Sequence, residues 1–209
     1  MAGDFSTVME QGFQERCAQL RERRGPTVRY TARAREIACS TLLLCSVFPL
    51  LAQTPAADEY QIKAAFLFNI AKFVEWPQDA FKAPDDPVTI CVLGANPFGG
   101  ALEDAVRGKL IGTRSFAVRE VANAQQAGKC HVVFVSAAER KRCRSFLDEL
   151  KGRSILTVGE AEDFTANGGI MNFKLRDARV RIEIDATAAE RARLRISSKL
   201  MSLADVTRK

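Results

Sequence analysis

Histidine is almost missing from this chain: His131 is the only one in 209 residues. A zinc site built from histidine and cysteine therefore has no support, and any Ser/His/Asp or Cys/His device would have to run through that one side chain. Standing alone at the mouth of the strand-like run HVVFVS, it is read as structural. The cysteines have no metal-ligand spacing. Carboxylate pairs are few, and Asp85-Asp86 and Glu162-Asp163 fall in turn-like stretches with no apolar pocket to raise a pKa. The loop GANPFGG (94–100) matches neither G-x-G-x-x-G nor the P-loop, so it is read as a tight turn, with an anion at the helix end as the alternative. The chain thus offers no catalytic residues and implies no cofactor and no metal.

Charge of one sign is also in short supply. The formal net charge is +6, and seven of the 31 Lys+Arg and five of the 25 Asp+Glu precede Gln53, which leaves +4 for the rest. That is too modest and too dispersed for nucleic acid. The one dense cluster, Arg140-Lys141-Arg142 with Arg144, lies on a predicted helix and is read as a solvated face. Internal repeats and low-complexity linkers are absent. So is an uninterrupted apolar run of the roughly 20 residues that a membrane span needs.

What is present begins at the N-terminus. Residues 1–36 are polar and arginine-rich; IACSTLLLCSVFPLLAQ (37–53) follows, preceded by Arg29, Arg33 and Arg35. A basic region, a short apolar core and a small residue at its end describe a secretory signal at about residues 29–52, with cleavage expected after Ala52. The run is short for an uncleaved anchor. The expected division is therefore 1–52 as extension and signal and 58–207 as the folded domain. Export implies an oxidising compartment, the periplasm, in which two of the three remaining cysteines (Cys91, Cys130, Cys143) should pair.

KAAFLFNIAKFVEWPQ (63–78) carries three phenylalanines and the only tryptophan. Its spacing predicts a helix with a broad apolar face, running from Tyr60 to Trp76 and stopped by Pro77. PVTICVLG (87–94), 113–120, HVVFVS (131–136) and SILTV (154–158) read as strands, with helices predicted at 96–107 and 138–150 between them. Two alternating runs, 169–174 and 179–185, read as an antiparallel hairpin, and a last helix is predicted from Ala186. Strands alternating with helices imply an α/β single domain: a mostly parallel sheet of about six strands with flanking helices and a C-terminal antiparallel hairpin.

KAAFLFNIAKFVEWP, ICVLGANPFGG, KCHVVFVS, GGIMNF with RIEID, and LRISSKLMSLADV, in that order, resemble the YfiR family of periplasmic proteins, from about Tyr60 to Val206. The resemblance implies a small α/β protein without catalytic residues that forms a homodimer. It further implies binding to the periplasmic domain of an inner-membrane diguanylate cyclase, and capture by an outer-membrane peptidoglycan-associated lipoprotein. The output would be lowered cyclic-di-GMP and less biofilm. A disulfide between Cys91 and Cys130 is implied as well, while a second one found late in some members has no counterpart here. Cys143 is left over, and its basic neighbours would lower its pKa if it were exposed, so it is expected to be the thiol that alkylates. The contact face is expected at the last hairpin and helix, at Phe173, Leu175 and Arg179. A different class stays open: a small-molecule sensor or accessory subunit of a histidine kinase or TonB-dependent receptor system.

Overall fold

The structure, a computed structural model, describes residues 55–176 and 179–208. The secretory signal expected at 29–52 lies outside the described residues.

Five consecutive strands make the parallel part of the main sheet: β2 (Val88–Leu93), β3 (Phe116–Val121), β4 (Val132–Val135), β5 (Leu156–Gly159) and β6 (Met171–Arg176). Their spatial order is β3-β2-β4-β5-β6, so the chain steps one way to β3 and then crosses back past β2. That is the order of a doubly wound sheet with one switch point, between β2 and β4. β6 turns into β7 (Arg179–Asp185), its antiparallel neighbour with Phe173 opposite Ile182. A seventh strand, β9 (Asp205–Thr207), lies parallel to β7 at the edge. The predicted hairpin is present, and the sheet has one strand more than the six expected.

The strands of this sheet are apolar for a reason. β2 and β4 are buried along their whole length because both faces are covered, and alternate side chains serve different layers. Ile90, Val92, Val132 and Phe134 point to one layer; Cys91, Leu93, Val133 and Val135 point to the other. The first layer is roofed by α1 (Pro55–Ala71), α2 (Ala101–Val106), α5 (Ala186–Arg191) and α6 (Ser198–Met201). The second is roofed by α3 (Ala124–Ala127) and α4 (Arg140–Glu149).

Two predicted helices end early. α1 stops at Ala71, five residues before Trp76: Lys72 and Phe73 donate to carbonyls only three residues back, which closes the turn. Val74–Glu75 then form β1, antiparallel to β8 (Arg195–Ile196). Tertiary pairing outbids helical spacing for these β-prone residues. The expected last helix is broken into α5, β8 and α6. Arg193 takes φ +58°, the left-handed conformation that terminates a helix and seldom belongs to arginine. Its guanidinium is held by Asp79 at 2.9 Å and by Ser154 Oγ at 3.0 Å, so tertiary bonds maintain the turn. α2 is likewise shorter than predicted. Asn96 does not cap it but accepts from the Phe98 N–H within its own turn.

Cys91 and Cys130 are bonded, their α-carbons 6.0 Å apart, one inside β2 and the other just ahead of β4.

Candidate functional site

The crevice at the carboxyl ends of β2 and β4 is where doubly wound sheets bind ligands. Here the chain fills it with its own side chains. Gly94, φ +75°, ends β2, and a side chain there would run into Glu139. Glu139 is engaged by Arg142, which also donates to the Ala122 carbonyl at 2.7 Å. Next to this, Phe98 meets Tyr60 edge to face at 5.4 Å. The GANPFGG loop is thus a tight turn.

Tyr60 belongs to a buried ionic knot. Lys63 is only 5 % exposed, and its Nζ lies 2.5 Å from both Glu59 Oε1 and Glu160 Oε2. Glu160 Oε1 accepts from Tyr60 Oη and from the Ala137 N–H, each at 2.9 Å. Burial, then the Glu160 carboxylate, pushes the Tyr60 phenol well above its ordinary pKa. A buried ammonium is tolerated only when paired and hydrogen-bonded, and this one ties α1 to the loops after β4 and β5. The sequence carried one clue, a lysine inside the apolar run. Nothing in the sequence named Glu160 as its partner.

His131 is structural, as expected. Nδ1 accepts from the Thr89 N–H at 3.0 Å and Nε2 donates to the Ala80 carbonyl at 3.1 Å, which assigns the Nε2–H tautomer. Its ring stacks on Phe81 at 4.2 Å, and Arg114 covers the other face of Phe81. Burial holds its pKa below the usual value. Asp86 caps the same loop, accepting from Lys82 and Ala83, and these bonds lower its carboxyl pKa. Asp163 faces Arg140 on the surface, and Glu162 is exposed beside it. Arg140, Lys141, Arg142 and Arg144 are all exposed, with Arg142 tied to Glu139 and Ala122. Among the described residues, no group of three or more His, Cys, Asp and Glu is arranged to hold a metal.

The expected contact residues separate. Phe173 is 2 % exposed and packs between Phe134 and Phe66, so it belongs to the core. Leu175, on the same face two residues on, has run past the end of that core and is 60 % exposed. Arg179 is exposed and sits directly opposite Arg176; one step in, Lys174 sits opposite Arg181. Like charges opposed across a ladder are destabilising, and among the described residues Glu183, 2.8 Å from Lys174, offsets them. The hairpin end therefore offers Leu175 and the half-buried Val180 on one face and four cations on the other. Period-two alternation predicts these two faces. How far the core reaches under the hairpin is a tertiary fact.

Cys143 corrects an expectation. It is 1 % exposed, packed under α4 in the same layer as the disulfide, and burial raises its pKa to about 11. Its arginine neighbours point to solvent instead, because one residue along a helix turns the side chain by about 100°.

The sequence model of the YfiR/HmsC-like family matches residues 60–205. No curated protein matches the chain. Among solved structures, a conserved domain protein from Vibrio cholerae O1 biovar El Tor str. N16961 is similar, at 10 % identity and a TM-score of 0.47. The alignment covers 72 % of this chain and 60 % of that one, so this chain spans three-fifths of its length. Among the described residues no helix is long and apolar enough to cross a membrane.

Proposed function

We propose, from the premise that the chain belongs to the YfiR/HmsC-like family, that it is a periplasmic regulatory protein, exported by the signal at about 29–52, that restrains an inner-membrane diguanylate cyclase. It acts by contact with the periplasmic domain of the cyclase and not by chemistry on a substrate. Capture by an outer-membrane peptidoglycan-associated lipoprotein relieves the restraint, and a homodimer is the working form. The observation that carries this reading is the family match over residues 60–205. Two features of the structure support a contact mode of action: the sheet's usual ligand crevice is filled by Tyr60, Phe98 and Glu139, and the hairpin end shows the exposed Leu175 beside a run of cations. Specific interfaces are built from such apolar anchors with a polar rim.

The test is a pair of acidic substitutions at exposed positions, Leu175→Glu and Arg179→Glu, with cyclic-di-GMP measured in cells that carry the cyclase and the folded state checked by circular dichroism. Raised cyclic-di-GMP with an intact fold is the expected result. Unchanged cyclic-di-GMP with both variants folded removes the hairpin end from the contact.

A further inference from the structure

A cavity of about 390 Å³ opens at the amino ends of β5 and β6, away from the hairpin end. It exists because these strands part company early. Their ladder holds only two pairs, Val158 with Met171 and Gly159 with Asn172. Below it, the Ile170 N–H has lost its strand partner and donates instead to Thr157 Oγ1 at 3.0 Å. The floor of the gap is apolar: Leu147, Ile155, Ile170 and Ala188 line it, all buried among their neighbours.

The rim is cationic. Arg144, Lys151, Arg153 and Arg191 surround the opening, and Asp148 is the one carboxylate there. Asp148 is engaged by Lys151 at 2.7 Å and also feels the charge of Arg144, which leaves the rim net cationic. None of the three guanidiniums is ion-paired with a carboxylate among the described residues. Nor do they serve the end of α4, whose last carbonyls are already used: those of Leu147, Asp148 and Leu150 accept from Leu150, Lys151 and Arg153. Arg153 lies close against Gly128, where any side chain would collide with its guanidinium. Arginines at the rim of an apolar floor suit a ligand that has both characters, because the planar fork of arginine matches carboxylate and phosphate oxygens. The volume falls in the range of small-molecule sites.

We propose that this cleft binds a small amphipathic anion, with its apolar body on the Leu147–Ile155–Ile170 floor and a carboxylate or phosphate head among Arg144, Arg153 and Arg191. The site is independent of the proposed contact with a cyclase and stands or falls separately.

Isothermal titration with four probes tests it: octyl phosphate, octanoate, octanol and inorganic phosphate. Saturable one-to-one binding is expected for at least one of the two amphipathic anions, and the tighter of them names the head group. Octanol and inorganic phosphate should each bind about tenfold or more weaker, since each lacks half of the match. The Arg153→Gln/Arg191→Gln variant should lose about tenfold in affinity for the anion, while Arg140→Gln/Lys141→Gln, on the far end of α4, should not change it. If the double variant unfolds, Arg191→Gln alone, at an exposed position, carries the comparison. No saturable binding by either amphipathic anion, octanol binding as tightly, or undiminished affinity in the folded arginine variant overturns the proposal.

Discussion

The two layers that flank the sheet are stabilised by different means. On the α1 face, aromatic rings run in sequence from Tyr60 to Phe98 at 5.4 Å, Phe134 at 4.8 Å, Phe173 at 6.4 Å and Phe66 at 6.1 Å. Twenty-two buried residues form that cluster, against fifteen on the α4 face, where α3 is a four-residue helix. The thinner layer holds all three described cysteines and its β2–β4 seam is tied by the disulfide. Where α1 supplies large side chains, packing suffices; where the covering helices are short, a covalent tie adds to it. Phe164 shows the same economy: its ring lies flat against Gly159 and Gly169, a fit possible only because neither has a side chain.

The comparison can be broken most sharply at Phe134, fully buried at the centre of the ring chain. Phe134→Ala should cost about 3–5 kcal/mol in urea unfolding, the usual range for deleting a buried ring. A loss under about 1 kcal/mol would mean the aromatic face is not the main source of stability. Removing the tie on the other face should do somewhat less. For the sequence separation of 39 between Cys91 and Cys130, the chain-entropy relation gives about 3–4 kcal/mol. The double Cys91→Ala/Cys130→Ala variant, measured without reductant, checks this.

A smaller and pH-dependent effect is expected at His131, at the amino end of β4. Its folded pKa is depressed, first by burial. The folded state therefore binds the proton less readily than the unfolded chain. The stabilising contribution is complete above the unfolded pKa of about 6.5, and it is lost as the pH falls from there through the folded value. Protonation also removes the acceptor that the Thr89 N–H uses. Unfolding free energy should fall on acidification below about pH 6.5 in the native protein, with a flatter profile in that window for His131→Asn. Parallel profiles would assign the acid sensitivity elsewhere. The least disturbance is expected at Cys143: in native protein it should resist iodoacetamide at pH 8, and it should react at once in denaturant. Rapid native labelling would contradict its burial under α4.

Much of this fold was legible in the sequence because β2, β4 and the hairpin are written in apolar and alternating runs that no other structure uses well. The ends of α1 and the break at Arg193 were not. Both depend on partners more than a hundred residues away, Val74 on Ile196 and Arg193 on Asp79. The same holds for the candidate sites. Leu175 and Arg179 were readable as surface, but the burial of Phe173 and of the Cys143 thiol follows from what packs above them. The arginine-rimmed cleft was invisible, because its lining comes from three separate stretches of chain.

The short β1–β8 ribbon has a bearing on the order in which the molecule can assemble. Residue 74 pairs with residue 196, and Leu194 and Leu200, which close the aromatic layer, lie beside that pairing. A ribosome delivers residue 74 long before residue 196. Until residues 194–200 are in place, the aromatic layer lacks part of its cover. Such distant closures are slow to form, and they leave the incomplete chain prone to clump with its neighbours. Loss of residues 195–207 is therefore a sterner insult than their number suggests.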